Sequence, residues 1–163
     1  MHFLDKKSAK STPITPVSAD SLKDWLKQQD EKTRNWVAAS GFKGSEGALL
    51  SIPDDKGGIA RVIYGVGKDD SLYTYADLPS KLPANSAGYY IDAKMSDDRA
   101  TQAALGWALG TYQFTAYRPS KTREMASLVW PQNADRKAVK ATAEATFLVR
   151  DLVNLPANDL GPE

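Results

Sequence analysis

Tyr89-Tyr90-Ile91-Asp92, then Asp97-Asp98-Arg99-Ala100-Thr101-Gln102-Ala103-Ala104-Leu105-Gly106-Trp107-Ala108-Leu109-Gly110-Thr111, then Ala126-Ser127-Leu128-Val129-Trp130 decide the fold. In the middle stretch Ala100, Ala104, Trp107, Thr111 and Phe114 recur at spacings of four and three, the period of a helix with one buried stripe. Asp97 and Asp98 stand where an N-cap belongs, because a short acidic side chain accepts from the free N–H groups of the first turn. The flanking stretches are short and apolar, and Pro131 stops the second. Strand, helix, strand is a βαβ unit whose strands run parallel. Gly106 and Gly110 each cost about 1 kcal/mol of helix propensity relative to alanine, so a helix over 98–114 that keeps both implies a neighbouring backbone in close approach.

Upstream, Ala48 to Ile52 and the β-branched run Ile59 to Val66 flank Pro53-Asp54-Asp55-Lys56-Gly57-Gly58, a hairpin signal. Leu72 to Tyr75 reads as a further short strand. Leu22, Trp25, Leu26 and Gln29 share a helical face, and a second helix over Glu31–Ser40 points Trp36 and Val37 inward with Gly41 as its C-cap. Residues 1–17, with Pro13 and Pro16 and few large apolar groups, read as an extended or flexible arm. Downstream, a long helix over 135–155 carries Ala138, Ala141, Ala145, Leu148 and Leu152 on one face, and Pro156 ends it. The expected fold is therefore α/β, a mixed β-sheet flanked by helices on both faces, with the domain spanning 18–155.

The 163 residues suit one core, and Lys+Arg 21 against Asp+Glu 20 gives +1, too balanced to make nucleic acid or an anionic membrane the default partner. No apolar run approaches a membrane span, and the polar first ten residues do not resemble a signal peptide, so a cytoplasmic protein is expected. Cysteine is absent and His2 is the single histidine, which removes thiol nucleophiles, cysteine zinc sites and histidine triads together.

What remains is weak chemistry with structural explanations. The pairs Asp54-Asp55, Asp69-Asp70 and Asp97-Asp98 are spaced for hard cations or acid/base work, yet each sits in an expected turn or helix start, where aspartate bonds nearby N–H groups. Gly65-Val66-Gly67-Lys68 follows a strand like a phosphate loop but continues into acidic, extended residues instead of a helix. Ser40 and Lys43 have the serine–lysine spacing without the companion motifs of acyl enzymes. The basic run Arg118 to Arg123, near Tyr112, Phe114 and Tyr117, reads as a solvated loop that could touch nucleic acid.

The end of the chain adds a different kind of signal. Arg150-Asp151-Leu152-Val153-Asn154-Leu155-Pro156-Ala157-Asn158-Asp159-Leu160-Gly161-Pro162 resembles the junction segment of the leucyl (cytosol) aminopeptidase family, R-x-L-x-N-T-P-A-N-x-x-x-P, with Leu155 at the threonine. Trp36 to Phe42 and Ala103 to Tyr112 are similar to amino-terminal domains of bacterial members. The resemblance singles out Asn154, Pro156, Ala157, Asn158, Asp159 and Pro162 as a domain-junction motif, with 156–163 the start of a linker. It implies a macro-domain-like α/β fold, a hexamer, and a separate carboxy-terminal metallopeptidase domain holding two divalent metals, zinc or manganese. That domain removes amino-terminal residues from peptides. The family's lysine, aspartate and glutamate ligands, with their N-T-D-A-E-G-R signature, are not in these residues. No catalytic, cofactor-binding or metal residue is therefore assigned here. The expected role is a non-catalytic accessory and assembly domain whose partners are its own catalytic domain and other subunits. The other readings kept open are a stand-alone macro-like module for a nucleotide ligand and a nucleic-acid-binding domain.

Overall fold

The computed structural model describes residues 1–68, 71–117, 123–156 and Asp159. Among the described residues six strands form one sheet in the order β1-β6-β5-β2-β4-β3. They are β1 (Phe3–Leu4), β2 (Thr12–Val17), β3 (Leu49–Pro53), β4 (Ile59–Gly65), β5 (Tyr89–Ile91) and β6 (Leu128–Val129). Only β3 runs antiparallel to its neighbour, as the second arm of the expected hairpin, and β5 and β6 pair in parallel as the βαβ reading requires. The α-helices among the described residues are α1 (Leu22–Lys27), α2 (Glu31–Ser40), α3 (Leu78–Lys81), α4 (Asp97–Gly110) and α5 (Arg136–Asn154). Side chains alternate along the strands, so Val62 and Tyr64 of β4 face one core with Trp107 of α4, while Ile63 faces another with Leu22 and Val37. Both faces of the mixed sheet are thus covered by helices.

The expected arm over residues 1–17 is the largest departure. Thr12–Val17 lies inside the sheet, paired with β4 on one side and β5 on the other, and Ile14 is fully buried. The reason lies in where the prolines fall. Thr12 donates its N–H to Gly88 on the β5 side. Alternation then aims the position of Pro13 at β4 and that of Pro16 at β5. Pairing with β4 begins only at Ile14, and pairing with β5 ends there. Each missing N–H therefore faces a place where no ladder bond is required. Even Phe3 is anchored, its ring stacked on Trp130 with centroids 3.9 Å apart.

Leu72–Tyr75 is a 3₁₀ turn, not a strand. The Ser71 hydroxyl accepts from Tyr73 N–H, and Ser71 N–H donates to the Thr74 hydroxyl at 3.3 Å, a reciprocal cap that closes the turn. Its backbone meets the two glycines of α4. A Cβ on Gly106 would stand 2.0 Å from the Leu72 carbonyl oxygen, and one on Gly110 would stand 1.7 Å from that of Ala76. The close approach expected from the glycines is real, with the turn as the neighbour. Helix α4 consequently has three occupied faces: Ala103 and Trp107 toward the sheet, Ala104 and Ala108 toward α5, and the glycines toward the turn.

Helix boundaries follow local chemistry. Ser96, one residue before the aspartates, caps α4 by accepting from Arg99 N–H. The helix stops at Gly110, short of Phe114, because Thr111 turns its hydroxyl back onto the Ala108 carbonyl at 2.7 Å. Gly41 ends α2 in the left-handed region, φ 66°, as expected of a C-cap glycine. Trp36 does not point inward: it is exposed beside β3, donating its indole N–H to Ser51 O.

Candidate functional site

The sequence's junction motif falls at the end of α5, and its described residues converge on Tyr112, just past the C-terminus of α4. The Tyr112 hydroxyl donates to Asp151 Oδ1 at 2.9 Å and accepts from Asn154 Nδ2 at 3.1 Å. The Asn154 amide also donates to Arg150 O, and Arg150 donates to the Leu109 carbonyl at the end of α4 while its guanidinium lies over the Tyr112 ring. Partial loss of hydration in this corner pushes the Tyr112 phenol up; the bond from Asn154 pulls it down, and the Asp151 carboxylate pushes it up again. The phenol thus remains the proton donor to Asp151. Beyond the helix the Pro156 carbonyl accepts from Asp159 N–H, and the Tyr117 hydroxyl donates to the Asp159 carboxylate, which holds that phenol up at about 12. Asn154, Pro156 and Asp159 of the motif are therefore tied to the domain; Ala157, Asn158 and Pro162 lie outside the described residues. Tyr112 and Tyr117 carry no local signal of this role, because their partners are distant in sequence.

Helix α5 meets the domain through Val139 and Ala143, which are fully buried against α4, with Phe147 packed beside them. Its opposite face is uncovered. Ala138, Ala141, Ala145, Leu148 and Leu152, the stripe that stands out in the sequence, are all exposed, and so are Val149 and Val153. Ala141, Thr142, Ala145, Thr146 and Val149 line a shallow groove of about 520 Å³ on that face.

The remaining candidates resolve into structure. Asp54 accepts from the N–H groups of Lys56 and Gly58 within its turn, Asp55 pairs with Lys32, and Asp97 and Asp98 sit in the first turn of α4. The Gly65–Lys68 loop packs against its own chain: a Cβ on Gly65 would stand 1.8 Å from Ser45 O, and the Glu46 carboxylate lies against Gly67 where a phosphate would need room. Asp69 and Asp70 lie outside the described residues, as do 118–122 of the basic loop, whose Arg123 donates to Ser80 O. Ser40 donates back to the Val37 carbonyl as an ordinary helix-end hydroxyl. A groove of about 690 Å³ at the ends of β5 and β6 contains Lys7 seated on the Tyr90 ring, and Asp5, which also lines it, is paired with Arg136. Among the described residues no group of three His, Cys, Asp or Glu is arranged to hold a metal ion.

Comparison with known proteins agrees with the family resemblance. The family model described as M17 aminopeptidase, N-terminal domain, matches residues 12–131. A structure of cytosol aminopeptidase from Coxiella burnetii is 38% identical and superposes with a TM-score of 0.87 over 98% of this chain, which spans 35% of that protein. A Bradyrhizobium sp. protein named "Probable cytosol aminopeptidase" is 33% identical over 150 residues, 78% of this chain and 30% of that one. The bottromycin maturation enzyme BotP in complex with Mn shares the fold at 24% identity, TM-score 0.64, over 94% of this chain and 34% of its own. The chain therefore spans about a third of the length of the relatives it matches, and it belongs to the M17 aminopeptidase family, as an N-terminal domain.

Proposed function

We propose that this chain is the non-catalytic accessory and assembly domain of a metal-dependent leucyl aminopeptidase that removes amino-terminal residues from peptides in the cytoplasm. The observation that carries the reading is the Coxiella likeness, which extends over 98% of the chain and accounts for 35% of a cytosol aminopeptidase. The peptidase chemistry then belongs to polypeptide outside these residues. There two divalent metals, zinc or manganese, would supply Lewis acidity for peptide hydrolysis. What this domain contributes is a rigid platform: α4 locked between the sheet and the 3₁₀ turn, α5 laid on α4 with its last turn held by Tyr112, and Asp159 beyond it held by Tyr117. In the full-length protein its partners are the catalytic domain and, in a homo-hexamer, other subunits. The junction motif, Ala157, Asn158 and Pro162 included, serves as the boundary between the two domains.

The test has two arms. The purified chain with added zinc or manganese should not hydrolyse a leucine anilide, and activity that survives rigorous purification would overturn the reading. Placed in the Coxiella enzyme in exchange for the matching segment, the chain should give a protein that does hydrolyse it; a folded but inactive chimera would count against it.

A further inference from the structure

We propose that the crevice at the carboxyl ends of the parallel strands binds a small organic anion, a phosphate or carboxylate group on an apolar or flat body, with Lys7 and Lys94 receiving the charge. The place follows from the topology. Strands β2 and β5 are neighbours in the sheet, and the chain leaves them in opposite directions: from β2 through α1 and α2 toward β3 and β4, and from β5 through α4 to β6. The first of these crossovers covers the face of Ile63, with Leu22 and Val37, and the second covers the face of Val62, with Trp107. The two covering layers therefore part between β2 and β5. A parallel sheet covered on both faces opens at such a switch point, outside the carboxyl ends of its strands, and ligands of α/β proteins bind there.

Two hollows lie along this edge and share residues 93–95, the segment that follows β5. The smaller, about 440 Å³, includes the ends of β2 and of the Gly65–Lys68 loop. Its chemistry disfavours an anion, because Lys68 pairs with Asp20 and the Glu46 carboxylate lies against Gly67. The larger, about 690 Å³, lies at the ends of β5 and β6 and has the opposite character.

Among the described residues Asp5 is the one acidic side chain lining the larger hollow, and Arg136 neutralises it at 2.9 Å. Lys7 and Lys94 line the same hollow and have no carboxylate partner among the described residues. The Lys7 ammonium instead rests 3.4 Å from the centroid of the Tyr90 ring. A concave site lined by one sign of charge concentrates the opposite sign. Ile91, Met95 and Val129 give the hollow apolar wall as well, so the charged group has room for an attached body. The volume falls within the range of about 300–1,000 Å³ typical of small-molecule sites. Nucleic acid would need cations repeated along an open surface, whereas two lysines in one hollow suit a single charged group.

Binding is best read from amide NMR shifts of the isotopically labelled chain at low ionic strength, where exposed lysines are least screened. Three probes separate the parts of the ligand: inorganic phosphate has the charge alone, phenyl phosphate adds a ring, and benzoate puts the ring on a carboxylate. At least one ring-bearing probe should bind at one saturable site, about tenfold more tightly than inorganic phosphate because its ring leaves water. The shifts should centre on residues 5–7, 90–95 and 129–133. Which ring-bearing probe binds tells an organic phosphate from a carboxylate. Lys7→Ala and Lys94→Ala should each weaken binding about threefold, a loss of the size expected at exposed charges. Lys56→Ala, in the hairpin turn at the opposite edge of the sheet, should leave it unchanged. Both lysines of the site are exposed, and the amide spectrum of each variant reports its fold directly. Three results would overturn the proposal: no saturable binding of either ring-bearing probe, shifts centred elsewhere, or an affinity untouched when both lysines are replaced. Inorganic phosphate binding as tightly as both ring-bearing probes would do the same, since the apolar wall would then have no part. No hydrolysis enters the measurement, so its failure removes the anion site and leaves the accessory function standing.

Discussion

Helices α4 and α5 pack against each other and are built on opposite plans. Around α4 three sides find a partner: Trp107 is fully buried against the sheet, Ala104 and Ala108 against α5, and the glycines against the Leu72 and Ala76 carbonyls. Around α5 only the Val139, Ala143 and Phe147 side is covered, and a second apolar side of similar length is left in solvent. A helix that is apolar on one stripe needs one neighbour; a helix apolar on two needs two. The contrast separates the faces that stabilise this domain from the one it leaves uncovered.

The sharpest way to break the comparison is to put a methyl group on the closed side of α4. Gly106→Ala and Gly110→Ala improve helix propensity, which by itself favours the variants by about 1 kcal/mol. Their Cβ atoms, however, would land 2.0 and 1.7 Å from backbone carbonyl oxygens, and backbone cannot rotate away as a side chain does. The expectation is a net loss at the upper end of the about 1–3 kcal/mol typical of overpacking, read as a lowered denaturation midpoint, with leucine worse than alanine at both positions. An alanine variant as stable as the parent would show that the turn is not held against α4.

How far the sequence leads is uneven, and the unevenness has causes. The helix over 136–154 and the βαβ unit are legible because caps, proline stops and periodicity agree. Strand β2 is not legible, since a rule that removes proline from sheets cannot see that Pro13 and Pro16 point their missing N–H groups past the ends of two ladders. The 3₁₀ turn has a signal, Ser71 with Thr74 three residues on, that its run of apolar and aromatic residues masks. Most telling is α5, where the residues with the clearest helical spacing, Ala138 to Leu152, turn out to be the exposed ones. Periodicity identifies a face that wants burial and says nothing about which molecule, or which part of one, buries it. The junction motif was legible only as resemblance, because its clamp runs through Tyr112 and Tyr117 on a different segment.

A gentler test sets the two sides of α5 against each other. Val139→Ala removes buried methyls from a fully enclosed site and should cost about 2 kcal/mol in the isolated chain. Val149→Gln and Leu152→Gln should change its stability by less than about 0.5 kcal/mol, since both side chains are exposed. Chemical denaturation of the three variants suffices. Equal losses on both sides would mean that the outer face is already covered and the asymmetry is false.

The smallest expected effect concerns the clamp at the far end of α5. With the Asp159 carboxylate as its acceptor, the Tyr117 phenol loses its proton only at about 12 instead of its ordinary value of 10.0. A phenol whose proton is held more tightly in the folded chain adds stability below pH 10 and gives it up as the pH climbs toward 12. Because both groups are exposed, the gain is small and a spectroscopic readout is the better choice. At pH 11 an ordinary phenol is about nine-tenths ionised, whereas one titrating near 12 is about one-tenth ionised. The difference in phenolate absorbance between the parent and Tyr117→Phe, taken at pH 11 with circular dichroism confirming the fold, should therefore be slight. In an Asp159→Asn background the same difference should rise several-fold. If Tyr117 ionises like a free phenol in the parent, the chain beyond Pro156 is not tied to the domain, and the contrast between a closed α4 and a presenting α5 stops at Asn154.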